Sequence, residues 1–159
     1  MDSISEQTLA RLIRNTRIAS LGTIHEGKPN QAMVAIAFEK DFSVFHIHVS
    51  RLGKHATGME QNPHISLLIV EADDGRQDPQ TLARVTLHGI ASVIPRNEPE
   101  HPRIKAIYLS RFPQAKGLFS LGDFNIWKIS PISGRFVAGF GRAFNIVPAM
   151  LIKVSSIQA

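Results

Sequence analysis

Apolar and polar positions along this chain alternate in short runs, most of them with the period of a strand rather than a helix. The exception comes first. Ile4, Leu9, Leu12 and Ile13 fall on one helical face, and Ser3-x-x-Glu6 has the form of a capping box, so the spacing predicts a helix from Ser3 to about Asn15 or Thr16. Strand signals follow in quick succession: Arg17 to Ile24, Gln31 to Phe38, Val44 to Val49 and Ile65 to Val70. Polar turns at His25–Pro29 and Glu39–Ser43 separate the first three, and Gly58 to Pro63 reads as a short helix ending at a proline. Beyond an acidic loop from Glu71 to Pro79, Thr81 to Ile94 is one long strand with Gly89 at its bend. Pro99 to Phe112 reads as a helix with Ile104, Ile107, Tyr108 and Phe112 along one stripe. Phe124–Ser130 and Arg135–Ala138 form a closing strand pair around Pro131–Gly134.

Tight turns between the early strands favour an antiparallel meander over parallel units with helical crossovers. The fold class expected is mainly β, an antiparallel barrel with short helices, since closing the sheet removes its exposed edges. A β-sandwich is the alternative. No repeat or linker divides the chain, so residues 1–159 are read as a single domain, with 1–16 the N-terminal helix and 145–159 a C-terminal tail.

A hydrophobic fraction of 43% is enough for a core, while no apolar run approaches the ~20 residues of a membrane-spanning helix. Cysteine is absent, which excludes disulfides, thiolate metal sites and cysteine nucleophiles. No basic segment followed by an apolar one opens the chain, so no signal peptide and a cytoplasmic location are expected. The net charge of +5 is unevenly spread: beyond Glu100 the only acid is Asp123, against eight Lys and Arg. Such a half could meet nucleic acid, a membrane surface or an anionic ligand, or be a solvated basic surface; the cations stand singly, without interleaved aromatics, so neither nucleic acid nor a membrane is the expected partner.

The segment Ser50-Arg51-Leu52-Gly53-Lys54-His55-Ala56-Thr57 falls where the third strand gives way to a helix. Fixed cations, hydroxyls and free backbone N–H groups at a helix start suit a phosphate dianion. On the third strand, Phe45, Ile47 and Val49 face the core, while Val44, His46, His48 and Ser50 face a wet cleft or a subunit interface. Two histidines at i, i+2 lack a clear third ligand, so no metal site is expected. Arg84, Thr86 and His88 share a face of the long strand. Gly139-Phe140-Gly141-Arg142-Ala143-Phe144 lacks the third glycine and the following helix of a dinucleotide fingerprint. No nucleophile elbow or phosphate-binding Walker loop appears, catalytic residues are unassigned, and Asp123 is expected to pair with a nearby Lys or Arg. Anion-binding groups with little acid–base equipment suit a protein whose chemistry comes from a phosphorylated cofactor.

Several ordered pieces carry a resemblance: Pro29–Phe38, Ser50–Thr57, Asn62–Leu68, Arg84–Gly89, Tyr108–Pro113, Gly122–Phe124 and Gly139–Ala143. Together they resemble the FMN-binding split-barrel superfamily that includes pyridoxamine 5′-phosphate oxidase, and more closely its haem-utilisation branch. The resemblance implies a six-stranded split barrel, a homodimer, and FMN in clefts at the subunit interface. It implies that Ser50, Arg51, Lys54 and Thr57 hold the FMN phosphate, that Arg84 and Thr86 support it, and that Met33, Val34 and Ala35 face the isoalloxazine edge. Asp123 and Arg142 would lie near the haem pocket of the haem-utilisation branch. Two departures are visible: Gln31 to Phe38 carries no cation, and no histidine follows Arg142. The first points away from pyridoxamine phosphate as substrate. The second means that a haem ligand would come from His46, His48, His55 or His88. Three functions follow as expectations: an FMN-dependent oxidoreductase acting on a small molecule, a haem-binding or haem-degrading protein, or a non-catalytic flavin-binding module.

Overall fold

The computed structural model describes residues 1–157, which form an antiparallel β-barrel flanked by short helices. The chain order is α1 (Ser3–Asn15), β1 (Ile18–His25), β2 (Lys28–Ala35), β3 (Ala37–Phe38), β4 (Phe45–Ser50), α2 (Lys54–Gln61), β5 (His64–Val70), β6 (Arg84–Ile94), α3 (His101–Arg111), β7 (Phe124–Val137), β8 (Ala143–Ile146) and α4 (Pro148–Ser155). Short 3-10 segments lie at Pro79–Thr81 and Pro113–Ser120.

The strands pair in the order β2-β1-β5-β6-β7-β4-β3, with β8 added on β7. The two ends of that order are one stretch of chain. β2 and β3 are parted only by Ile36, whose N–H still donates to Arg17 O at 3.0 Å, the last link to the β1 side before the chain turns to β4. β2 pairs with β1 and β3 with β4, so this single bent run closes the barrel. Eight strand segments therefore stand where six were expected: one expected strand is split at Ile36, and β8 is an addition.

Local chemistry explains most of the boundaries. Glu26 and Gly27 both have positive φ (52° and 72°), the geometry of the two-residue turn that matches hairpin twist, so β2 starts at Lys28 and not at Gln31. The bend expected at Gly89 is a register shift between His88 and Gly89. The residues around Pro131 do not turn. Phe124 to Val137 is one strand of 14 residues, and Pro131 falls between the stretch paired with β4, ending at Ile129, and the stretch paired with β8, starting at Gly134. The missing N–H of Pro131 thus costs that flank no ladder bond.

At the N-terminus the cap is Asp2, not Ser3: Asp2 Oδ1 accepts from the N–H of Ser5 at 3.0 Å, and Ser3 is already helical. The Glu6 side chain does not reach back; it takes Lys153 Nζ at 2.6 Å. Of the expected C-terminal tail, residues 145–155 form the end of β8 and α4, while Gln158 and Ala159 lie outside the described residues. Lys153, together with Arg14 donating to Ser155 O, ties α4 to α1.

Two apolar clusters hold the molecule together. Leu9, Ile13, Leu21, Ile36, Phe45, Ile47, Leu67 and Phe136 belong to the larger one, inside the barrel and under α1 and α4. Ile104, Tyr108, Phe112, Phe119 and Ile126 form the second, between α3 and the outer side of β4 and β7. β4 is sandwiched between the two, and every residue from Phe45 to Val49 is buried. The expected alternation of faces on β4 is present, but the His46/His48 face is not wet: α3 and the Pro113–Ser120 segment roof it.

Candidate functional site

The register of β4 on β7 sets Ser50 opposite Phe124 and so beside Asp123. Ser50 Oγ donates to Asp123 Oδ2 at 2.5 Å and accepts from the N–H of Leu52 at 3.2 Å, and Arg51 N–H donates to Asp123 O at 2.8 Å. Asp123 therefore engages a hydroxyl and a backbone amide, and not a Lys or Arg. Gly53 N–H bonds back to Ser50 O at 3.2 Å, completing a tight turn into α2. That helix starts at Lys54, inside the motif, four residues earlier than expected. Its N-cap, Gly53, offers no side chain to the first-turn amides. Arg51 and Lys54 are exposed and lie in no ion pair among the described residues. Thr57 follows Lys54 by three residues, on the same helical face. The loop can thus bind an anion through two free cations and uncapped amides, while the Asp123 carboxylate opposes one placed directly on Ser50.

α2 is held in place by close packing on β1. A Cβ on Gly58 would lie 2.9 Å from Ile24 O and 3.1 Å from Thr23 Oγ1, so only glycine lets the helix approach this closely.

Next to the loop, β2 and β4 open into a cleft of about 460 Å³. Met33, Val34 and Ala35 line one side, His48 and Val49 another, and Tyr108, Phe112 and Leu118 the third. Val49 leads directly into Ser50, so the apolar cleft and the cationic loop are continuous along β4. Arg17 also lines the cleft, with its guanidinium 5.3 Å from the centre of the Phe112 ring. Arg111 fixes the far end of α3 by donating to Arg14 O and Thr16 O at 3.0 and 2.6 Å, which sets the distance between the roof and β1. A larger cleft of about 670 Å³ lies around Glu39, His46, Arg103 and Lys128. Its polar groups answer one another: Glu39 accepts from Arg103 Nη1 at 2.9 Å and lies 3.1 Å from His46 Nε2.

His48 is 7% exposed and stacks flat on Phe119, with ring centres 3.8 Å apart and planes 4° from parallel. Tyr108 meets it edge-on at 5.7 Å. Its Nδ1 is buried without a partner. Burial first, then the positive charges of Arg96, His101 and Lys105, push its pKa down to about 4, so the imidazole is neutral at physiological pH. His46 is also held below its ordinary value by burial, although Glu39 pulls the other way. Burial pushes the Tyr108 hydroxyl up to about 12.

The remaining expected site residues are spread over the protomer. Thr86 shares an outer sheet row with Leu68, Ser20 and Met33, three strand spacings or roughly 14 Å from Met33. Arg84 lies on the same outer face and donates to Gln80 O and Leu82 O at 2.8 and 3.1 Å. Both pair with the far end of β7 from Ser50, so the fold of the chain does not gather them at the loop. Arg142 binds Asp2 at 2.7 Å and Ser5 Oγ at 2.6 Å, beyond the opposite end of β7 from Asp123. The cleft residues that the sequence did not assign to the site include Arg17, Tyr108, Phe112 and Leu118. The stripe on α3 was visible as apolar; its burial over His48 was not.

The β-barrel family known as CREG matches residues 6–151. The chain belongs to this family. Heme oxygenase HutZ of Vibrio cholerae is 27% identical to it over 122 residues, covering 76% of this chain and 68% of HutZ. The heme binding protein of Mycobacterium smegmatis superposes with a TM-score of 0.82 at 25% identity over 96% of this chain. The chain spans 61% of the length of that structure. A general stress protein 26 relative of the pyridoxinephosphate oxidase family, from Clostridium acetobutylicum, gives a TM-score of 0.71 at 14% identity, covering 95% of this chain and 99% of its own, a likeness of fold. The family's split barrel therefore has both haem-named and pyridoxinephosphate oxidase neighbours.

Proposed function

We propose that this protein binds haem in the cleft between β2, β4 and α3 and serves haem utilisation. The observation that carries the reading is the continuity of an apolar, aromatic-walled cleft with a loop of unpaired cations. The donor set fits the group. A porphyrin is flat and apolar with two carboxylates on one edge. Met33, Val34, Val49, Phe112 and Leu118 would take its faces, and Arg17, Arg51 and Lys54 its carboxylates. Bound haem would supply iron-centred redox and oxygen chemistry. The protein's own part is to exclude water with its aromatic roof, to hold the carboxylate edge, and to keep the buried histidines neutral. The relatives named for haem support the same reading.

A second reading, an FMN-dependent oxidoreductase, is favoured by one feature: the uncapped N-terminus of α2 with Arg51, Lys54 and Thr57 beside it. The Asp123 carboxylate at Ser50 weighs against it. In both readings a second copy of the chain covers the outer face of β1 and β2 and completes the cleft. Titration with hemin and, separately, with FMN tests the choice. A saturable Soret band with one hemin per chain, and no quenching of FMN fluorescence, is expected. Saturable FMN binding without a hemin spectrum would reverse the assignment.

A further inference from the structure

We propose that His48 is the residue of this chain that ligates the haem iron through Nε2; the assignment rests on the haem reading above. The chain has seven histidines. Among the histidines, the cleft is lined by His48 alone. His46, its neighbour two residues away, is 1% exposed, turns its Nε2 toward Glu39 and faces the other cleft. The His55 ring folds back over Gly53, where an added Cβ would meet it. His64 and His88 are exposed around a different concavity, on the outer faces of β5 and β6.

The surroundings of His48 suit ligation on two counts. Its Nδ1 is sealed and unpartnered and the residue lines the cleft, so a metal there would be taken by Nε2. Stacking on Phe119 and the edge of Tyr108 fix the plane of the ring, so a bound metal would not have to order it. Because no acceptor holds Nδ1–H, His48 is a less basic ligand than a histidine backed by a carboxylate, and added imidazole should compete with it readily.

The test is hemin titration of the full chain, wild type against His48→Gln and His48→Gly, with ¹⁵N-histidine labelling of the wild type. Wild type should show a Soret band and nitrogen hyperfine coupling from one histidine. His48→Gln should bind hemin at least about tenfold more weakly and lose the coupling. His48→Gly should regain a nitrogen-ligated spectrum on addition of free imidazole. His88→Ala should leave wild-type behaviour unchanged. Wild-type hemin binding with unaltered coupling in His48→Gln overturns the ligand assignment and leaves the haem reading standing. Absence of hemin binding by the wild type overturns both. Should both His48 variants unfold, the labelled wild type decides. Coupling that persists when His25, His46, His55, His64, His88 and His101 are each replaced supports His48, and its loss in any one of them overturns the assignment.

Discussion

His48 and Asp123 are two residues at which a small chemical change is diagnostic. Folding holds His48 neutral down to about pH 4, whereas in the unfolded chain it takes a proton near 6.5. Between those values the unfolded state binds more protons, so stability should fall as pH drops from 6.5 to 4 and level off below. The full effect is at most about 3 kcal/mol. His46, lowered by the same burial, adds to it with the same sign. Chemical denaturation at intervals from pH 7 to 4 should show this slope, and His48→Phe should flatten it; an unchanged slope would mean that His48 protonates freely in the folded state. Asp123 offers the complementary case. Asp123→Asn keeps an acceptor for Ser50 Oγ but removes a negative charge beside the anion loop. Inorganic phosphate should then bind the loop roughly fivefold more tightly or better at low ionic strength, since even a screened charge a few ångströms away costs about 1 kcal/mol. Calorimetric titration of both proteins with phosphate measures it.

Among the elements, α2 depends most on a single residue. The 2.9 Å approach from a Cβ on Gly58 to Ile24 O leaves no room for alanine, and the obstacle is backbone. Gly58→Ala should destabilise the protein by roughly 1–3 kcal/mol and loosen the presentation of Arg51 and Lys54. A fall in melting temperature with a parallel loss of hemin affinity is expected; an unchanged melting temperature would show that α2 can shift at no cost. This contact was not legible in the sequence, where Gly58 reads only as part of a short helix. What was legible follows a rule about its neighbourhood. The bend at Gly89, the alternation on β4 and most of the α1 stripe are set by residues close in sequence and are present, although Ile4 of that stripe is exposed and only Leu9, Leu12 and Ile13 are buried. What escaped depends on partners far along the chain. Pro131 and Gly134 carry turn chemistry, yet β6 pairs with the strand on both sides of them, with only a register shift at Ile132. The polar face of β4 looked wet because nothing local announces that α3, more than fifty residues later, covers it. The Ser50–Thr57 loop was recognisable from its residue types, but the carboxylate next to it comes from position 123 through strand register.

At the scale of the whole molecule, the outer sheet face has the look of a surface waiting for a partner. Met33 is 71% exposed and Ile18 is 52% exposed, on adjacent strands, with Leu68 next in the same row as Met33 and Ser20. A single large apolar side chain in water needs no explanation, but a contiguous set on one sheet face does. A second copy placed there would bury this set, wall the open side of the cleft at Met33, and bring its own cations near the first copy's ring site. Leu68→Glu separates dimer formation from direct cofactor contact, because Leu68 belongs to the face but not to the cleft lining. A charge in the centre of such an interface should weaken association by about 2 kcal/mol or more. Sedimentation equilibrium should find the wild type dimeric and Leu68→Glu largely monomeric at micromolar concentration. Hemin affinity should fall with the dimer, although no residue of the cleft has changed. A wild type that sediments as a monomer, or a monomeric Leu68→Glu that keeps full hemin affinity, would mean that each barrel builds its site alone.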